Sequence, residues 1–83
     1  MTERVLRKVL ELAASVTRQD VAVLTPGMKL YVDLGLDSAA ALELVVELED
    51  AFGIQIGNKD AGELQTLADV ATLVRRLTGK RRR

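Results

Sequence analysis

The stretch LGLDSAAALELVVELEDAFGI, Leu34 to Ile54, decides how this chain folds. From Ser38 to Phe52 its apolar residues Ala41, Leu44, Val45, Leu48 and Phe52 follow i, i+3, i+4, i+7 and i+11, the stripe of an amphipathic helix. Asp37 stands where a side chain can accept from the unpaired N–H groups of the first turn and complement the helix dipole. Gly53 stands where helices end in a left-handed residue. A helix of about fifteen residues is marginal alone in water, so its order depends on docking that stripe. Burying each large side chain contributes roughly 1.5–3 kcal/mol. The opposite face carries Ala40, Glu43, Glu47 and Asp50 in a row, with Leu42, Val46 and Glu49 beside it.

Working outward, Val5, Val9, Leu12 and Val16 recur at helical spacing with Leu6, Leu10 and Ala13 alongside, which predicts a first helix from Glu3 to Val16. Thr17 to Leu36 loses that period and contains Pro26-Gly27, the chain's strongest turn signal. It reads as a long loop pinned to the core by Leu24, Met28, Leu30 and Leu34. After the turn at Gly57-Asn58, the segment Asp60 to Leu64 predicts one helical turn, weakened by Gly62. Thr66 and Asp69 form a pattern close to a capping box ahead of Val70, Leu73, Val74 and Leu77, with Gly79 as the stop. That gives a last helix of about eleven residues, and the chain reads as all-α.

Composition limits the chemistry. The chain has 83 residues, 48% of them apolar and 29% charged, in the range of an ordinary folded domain. A domain this small buries only about 60% of the surface its unfolded chain exposes. There is no cysteine to add a disulfide or a thiolate metal site, and no histidine to exchange protons near neutral pH. A serine hydrolase needs a base in reach and a G-x-S-x-G elbow after a strand, and neither is present. No loop repeats the D-x-[DN]-x-[DN]-G spacing of a calcium hand, so no metal site is expected. Arg81, Arg82 and Arg83 suggest nucleic acid, but an aromatic content of 2% supplies no stacking platform, and the tail reads as a solvated end. No nucleic-acid partner is therefore expected. No segment has the apolar length of a membrane span or the core of a signal peptide, which leads us to expect a cytoplasmic protein.

The net charge of zero hides a separation. Asp33, Asp37, Glu43, Glu47, Glu49, Asp50, Asp60, Glu63 and Asp69 face Lys59 alone in the middle of the chain, while Arg4, Arg7, Lys8, Arg18 and Lys29 precede them and Arg75, Arg76 and residues 80–83 follow. Such a field steers a basic partner toward the acidic middle.

Ser38 remains to be explained. A serine beside a helix N-cap is ordinary, since serine is itself a good cap. Here, however, Asp37 can already cap, the hydroxyl lies at the end of a loop, and the helix face beyond it is acidic with uncovered Leu42 and Val46. A group attached to Ser38 would be presented beside a docking surface.

The segment Asp33-Leu34-Gly35-Leu36-Asp37-Ser38 resembles the D-L-G-x-D-S motif of acyl carrier proteins. Glu43-Leu44-Val45, Leu48-Glu49-Asp50 and Phe52-Gly53-Ile54 continue that family's pattern, as do Asp60 and Leu64-Gln65-Thr66 before the last helix. The resemblance runs from the first helix to Leu77. It implies a small antiparallel four-helix bundle of three main helices and one short one, with residues 1–79 as the carrier domain and 80–83 as a basic tail. It implies that a magnesium-dependent phosphopantetheinyl transferase modifies Ser38, whose Oγ attacks the pyrophosphate of coenzyme A and keeps 4′-phosphopantetheine as a phosphodiester, with Asp37 the adjacent motif residue. Acyl groups then ride on the arm as thioesters, so the chain is a carrier and not a catalyst. Ala39, Leu42, Glu43, Val46, Glu47, Glu49 and Asp50 would meet ketosynthases, acyltransferases or acyl-activating enzymes bearing basic patches, and the carrier is expected to be monomeric.

The chain departs from the family in three ways. Ala39 and Ala40 stand where leucine and an acidic residue are usual, Gly57 stands where proline is common, and the overall charge is balanced. These departures favour a specialised polyketide or other acyl pathway over primary fatty acid synthesis. A peptidyl or D-alanyl carrier, or an interaction module in which Ser38 is never modified, are the alternatives.

Overall fold

The apolar stripe of the central stretch has a partner on each side. In the computed structural model, which describes residues 2–81, the helices are α1 (Thr2–Thr17), α2 (Ser38–Phe52), α3 (Asn58–Gly62) and α4 (Leu67–Arg81), with a 3-10 turn at Val21–Val23. α1 packs against both α2 and α4, and the contact between α2 and α4 is slighter. Val9 and Ala13 of α1, Leu48 of α2, and Leu67, Val70 and Val74 of α4 are fully buried, with Leu44 and Leu73 nearly so. Each is a position that the helical spacing turns inward. Three main helices and a short one is the expected architecture. Among the described residues no strand forms, and the single β feature is an isolated bridge between Lys29 and Thr66. No described helix is long and apolar enough to cross a membrane.

Several boundaries differ from the sequence expectation, each for a local reason. α1 extends to Thr17, whose Oγ1–H donates to the Ala13 carbonyl at 2.8 Å, and Arg18 follows it in the left-handed region at φ 59°. The Gln19 N–H then closes the helix end on the Ala14 carbonyl at 3.0 Å. α3 begins at Asn58 and not at Asp60, because extended Gly57 acts as its N-cap and the Ala61 N–H reaches the Gly57 carbonyl at 3.0 Å. α4 does not stop at Gly79 but continues to Arg81. Glycine inside an exposed helix costs only about 1 kcal/mol, which a docked helix tolerates. Of the basic tail, residues 82–83 and the side chains of residues 80–81 lie outside the described residues.

The long connection between α1 and α2 is held by backbone hydrogen bonds as well as by its leucines. Leu24, Leu30, Leu34 and Leu36 are buried and Met28 is half-buried. The Leu30 N–H donates to the Gln65 carbonyl at 2.9 Å, and the carbonyls of Met28 and Pro26 accept from the Leu67 and Ala68 N–H groups at 3.1 and 2.8 Å. Those two donors belong to the first turn of α4, where no intrahelical acceptor exists. Thr66 and Asp69 complete the end as a capping box: the Asp69 N–H reaches Thr66 Oγ1 and the Thr66 N–H reaches Asp69 Oδ2, both at 3.1 Å. The loop therefore serves as part of the cap of α4.

Candidate functional site

Ser38 is the first residue of α2, and the residues before it fix where its hydroxyl points out of the fold. The Lys29 N–H donates to Asp33 Oδ2 at 2.8 Å, and the N–H groups of Asp33 and Leu34 both donate to the Lys29 carbonyl, which curls the loop. Gly35 then takes φ 74°, a conformation only glycine adopts without strain, and its N–H donates to the Tyr31 carbonyl at 3.1 Å. This brings Leu36 back into the core and leaves Asp37 and Ser38 outside.

Asp37 has extended backbone and caps the helix twice. Its Oδ1 accepts from the Ala40 N–H and its carbonyl from the Ala41 N–H, both at 2.8 Å. The N–H groups of Ser38 and Ala39 and the Ser38 hydroxyl have no acceptor or partner among the described residues. All three groups are on exposed residues. The start of α2 thus offers a free hydroxyl and two free donors at the positive end of a helix dipole, a setting that favours an attached anion.

Beside Ser38 opens a cavity of about 310 Å³, within the range of small-molecule sites. Leu30, Tyr31 and Leu36 of the loop, Ala41, Leu42, Leu44, Val45 and Leu48 of α2, Ala61 and Gly62 of α3, and Leu64 and Val70 line it with Ser38. No charged residue does. α3 forms one wall, and its side-chain link to α4 is the pair Asp60 Oδ1 and Arg76 Nη2 at 3.3 Å. No group of acidic residues among those described could hold a metal ion.

The outer face of α2 is open. Leu42 is 65% exposed and Val46 54%, and Ala39, Glu43, Glu47 and Asp50 are exposed around them. None of these three carboxylates is engaged by a cation among the described residues. Glu49 differs from the others that the sequence placed on this face. It is half-buried, and its Oε2 accepts from the Ile56 N–H at 2.8 Å, tying the segment after α2 back onto the helix. Tyr31 and Val32, 56% and 80% exposed, were not singled out by sequence reasoning. They lie in a stretch without periodicity, where the sequence marks Leu24, Met28, Leu30 and Leu34 as inward but gives no sign of which way Tyr31 and Val32 face.

The family model described as a phosphopantetheine attachment site matches residues 7–74. An acyl carrier protein of Exiguobacterium sp. is 38% identical over 72 residues, which make up 87% of this chain and 91% of that protein. The meromycolate extension acyl carrier protein of Mycobacterium leprae is 31% identical over 75 residues, 90% of this chain and 65% of that protein's length. A solved structure provisionally assigned as an acyl carrier protein from Mycobacterium tuberculosis superposes with a TM-score of 0.81 at 34% identity, covering 86% of this chain and 95% of that one.

Proposed function

This chain belongs to the acyl carrier protein family, and from that premise we propose that Ser38 Oγ is its point of attachment for 4′-phosphopantetheine. The protein is a carrier with that group held covalently, and not an enzyme. The bound group supplies the thiol that this cysteine-free chain lacks, on which acyl chains are held as thioesters. The observation that carries the assignment is the free, exposed Ser38 hydroxyl at the first position of α2, next to an apolar cavity.

Each neighbour has a part in this reading. Ser38 and Ala39 have two unshared N–H donors that would face the phosphate charge, an interaction with the helix end of roughly 0.3–1 kcal/mol. Asp37 Oδ1 is engaged as the helix cap by the Ala40 N–H, and the chain has no histidine, so in this reading deprotonation of Ser38 is assigned to the transferase. The apolar cavity accepts an aliphatic chain. The open face of α2, with Leu42 and Val46 between Glu43, Glu47 and Asp50, docks basic patches on synthases and transferases.

The test is intact-protein mass after incubation with coenzyme A, magnesium and a broad-specificity phosphopantetheinyl transferase. The expected result is a gain of one phosphopantetheine that is absent in Ser38→Ala. A folded wild-type chain that gains nothing from two different transferases overturns the assignment.

The finer reading is a carrier for a specialised acyl pathway, polyketide synthesis being the leading case. What supports it is Ala39, exposed at the position beside Ser38 where enzymes of primary fatty acid synthesis usually meet a leucine. Ala39→Leu is expected to raise several-fold the rate at which a primary-pathway malonyl transferase charges the modified carrier. An unchanged rate counts against the pathway assignment and leaves the carrier assignment standing.

A further inference from the structure

The lining of the cavity beside Ser38 is apolar with two exceptions, Ser38 itself and Tyr31. If Ser38 is the attachment point, its oxygen is consumed by the phosphodiester. Tyr31, the only tyrosine in the chain, is then the single side chain of the lining that can donate a hydrogen bond. Its phenol makes no hydrogen bond to the protein among the described residues.

The backbone that carries the ring is held from both sides. The Tyr31 carbonyl accepts from Gly35 at 3.1 Å. The preceding residue, Leu30, is buried, donates to the Gln65 carbonyl at 2.9 Å and accepts from Leu36 at 3.2 Å. The ring keeps only its side-chain torsions as freedom, a mount that costs little entropy when a ligand engages it. At 56% exposure it sits across the boundary between water and the apolar interior, where a tyrosine presents an apolar body and a polar tip.

We propose that Tyr31 is a specificity-determining residue of this carrier, its phenol O–H donating to an uncharged oxygen, keto or hydroxyl, on the acyl chain that enters the cavity. The inference rests on the carrier reading above. A saturated chain asks nothing of the lining, whereas a carbonyl taken into an apolar space without a donor loses its water hydrogen bonds uncompensated. One donor in the lining removes that loss for a neutral oxygenated chain. A lining without charge offers no such relief to a carboxylate.

The test compares two cargoes on two proteins. Octanoyl and 3-oxooctanoyl groups are loaded from their coenzyme A thioesters by a broad-specificity transferase onto the wild type and Tyr31→Phe, and loading is verified by intact mass. Thioester shielding is then read as the rate of thioester hydrolysis at a fixed, mildly alkaline pH, followed by intact mass. Removing the hydroxyl is expected to speed cleavage of the 3-oxooctanoyl carrier by about threefold or more, the size of one net hydrogen bond, with the octanoyl carrier unchanged. An equal change for both cargoes overturns the proposal, because it places the contact on the arm or in packing. No change for either overturns it as well. Phenylalanine preserves the ring, so helical content should match the wild type. A wild-type chain that takes no cargo at all counts against Ser38 as the attachment point and not against Tyr31.

Discussion

Two neighbouring carboxylates on α2 show how much a single side chain's surroundings decide. Glu47 reaches into water, while Glu49, two residues on, is half-buried with Oε2 on the Ile56 N–H at 2.8 Å. Spacing alone places both on the outer half of the helix, and so the sequence suggested a docking role for each. The difference is made by Gly53, whose φ of 65° turns the chain back so that Ile54 and Ile56 bury beneath the helix and present an N–H to Glu49. Glu49→Ala is therefore expected to cost about 1–3 kcal/mol, the loss of an acceptor for a part-buried donor, measured by denaturant unfolding. Glu49→Gln keeps an acceptor and should recover most of that loss, although it removes the same charge. Equal stability of the two variants would show that the bond contributes little. Asp37 was readable from sequence because its whole role is local, a side chain three residues before the N–H it accepts from. Glu49 was not, because its acceptor role depends on where a later turn sends the chain.

At the scale of elements, the same division holds. The spacing of α1, α2 and α4 was legible because each long helix buries one stripe, and the capping box of α4 was legible because its two residues are three apart. The 3-10 turn at Val21–Val23 left no periodic trace, being three residues long with no side chain buried. α3 was visible only approximately, since five residues with a glycine at the end carry almost no pattern. α2 is the element that separates structure from recognition: its inner stripe holds Leu44 and Leu48 at 3% and 0% exposure, and its outer face leaves Glu43 and Glu47 free. Reversing both outer charges, Glu43→Lys with Glu47→Lys, should leave the unfolding midpoint nearly unchanged. It should slow association with a basic partner enzyme by tenfold or more at low salt, with the difference shrinking as ionic strength rises. Surface plasmon resonance across a salt series measures this. A rate insensitive to both the substitutions and the salt would remove α2 as the docking surface.

For the whole molecule, the sequence led us to expect that Leu24, Met28, Leu30 and Leu34 pin the α1–α2 connection to the core; the three leucines are buried and Met28 is half-buried. It could not show where the backbone of that connection is fastened. The carbonyls of Pro26 and Met28 lie far along the chain from the Ala68 and Leu67 donors they satisfy, and pairings at that separation have no local signature. The serine's platform and the last helix are thus one piece of structure, although α2 and α3 separate them in sequence. The consequence is one of shared opening. The Leu30 and Leu67 amides, bonded across this seam at 2.9 and 3.1 Å, cannot be released to solvent one without disturbing the other. Their hydrogen–deuterium exchange rates should fall in one cooperative class, slower than that of the Ala61 amide of α3, whose acceptor is the neighbouring Gly57. Rates for Leu30 and Leu67 that differ by orders of magnitude would mean that the seam opens piecemeal. If they exchange together, the lifetime of a correctly held Ser38 is set by how long the far end of the chain stays folded.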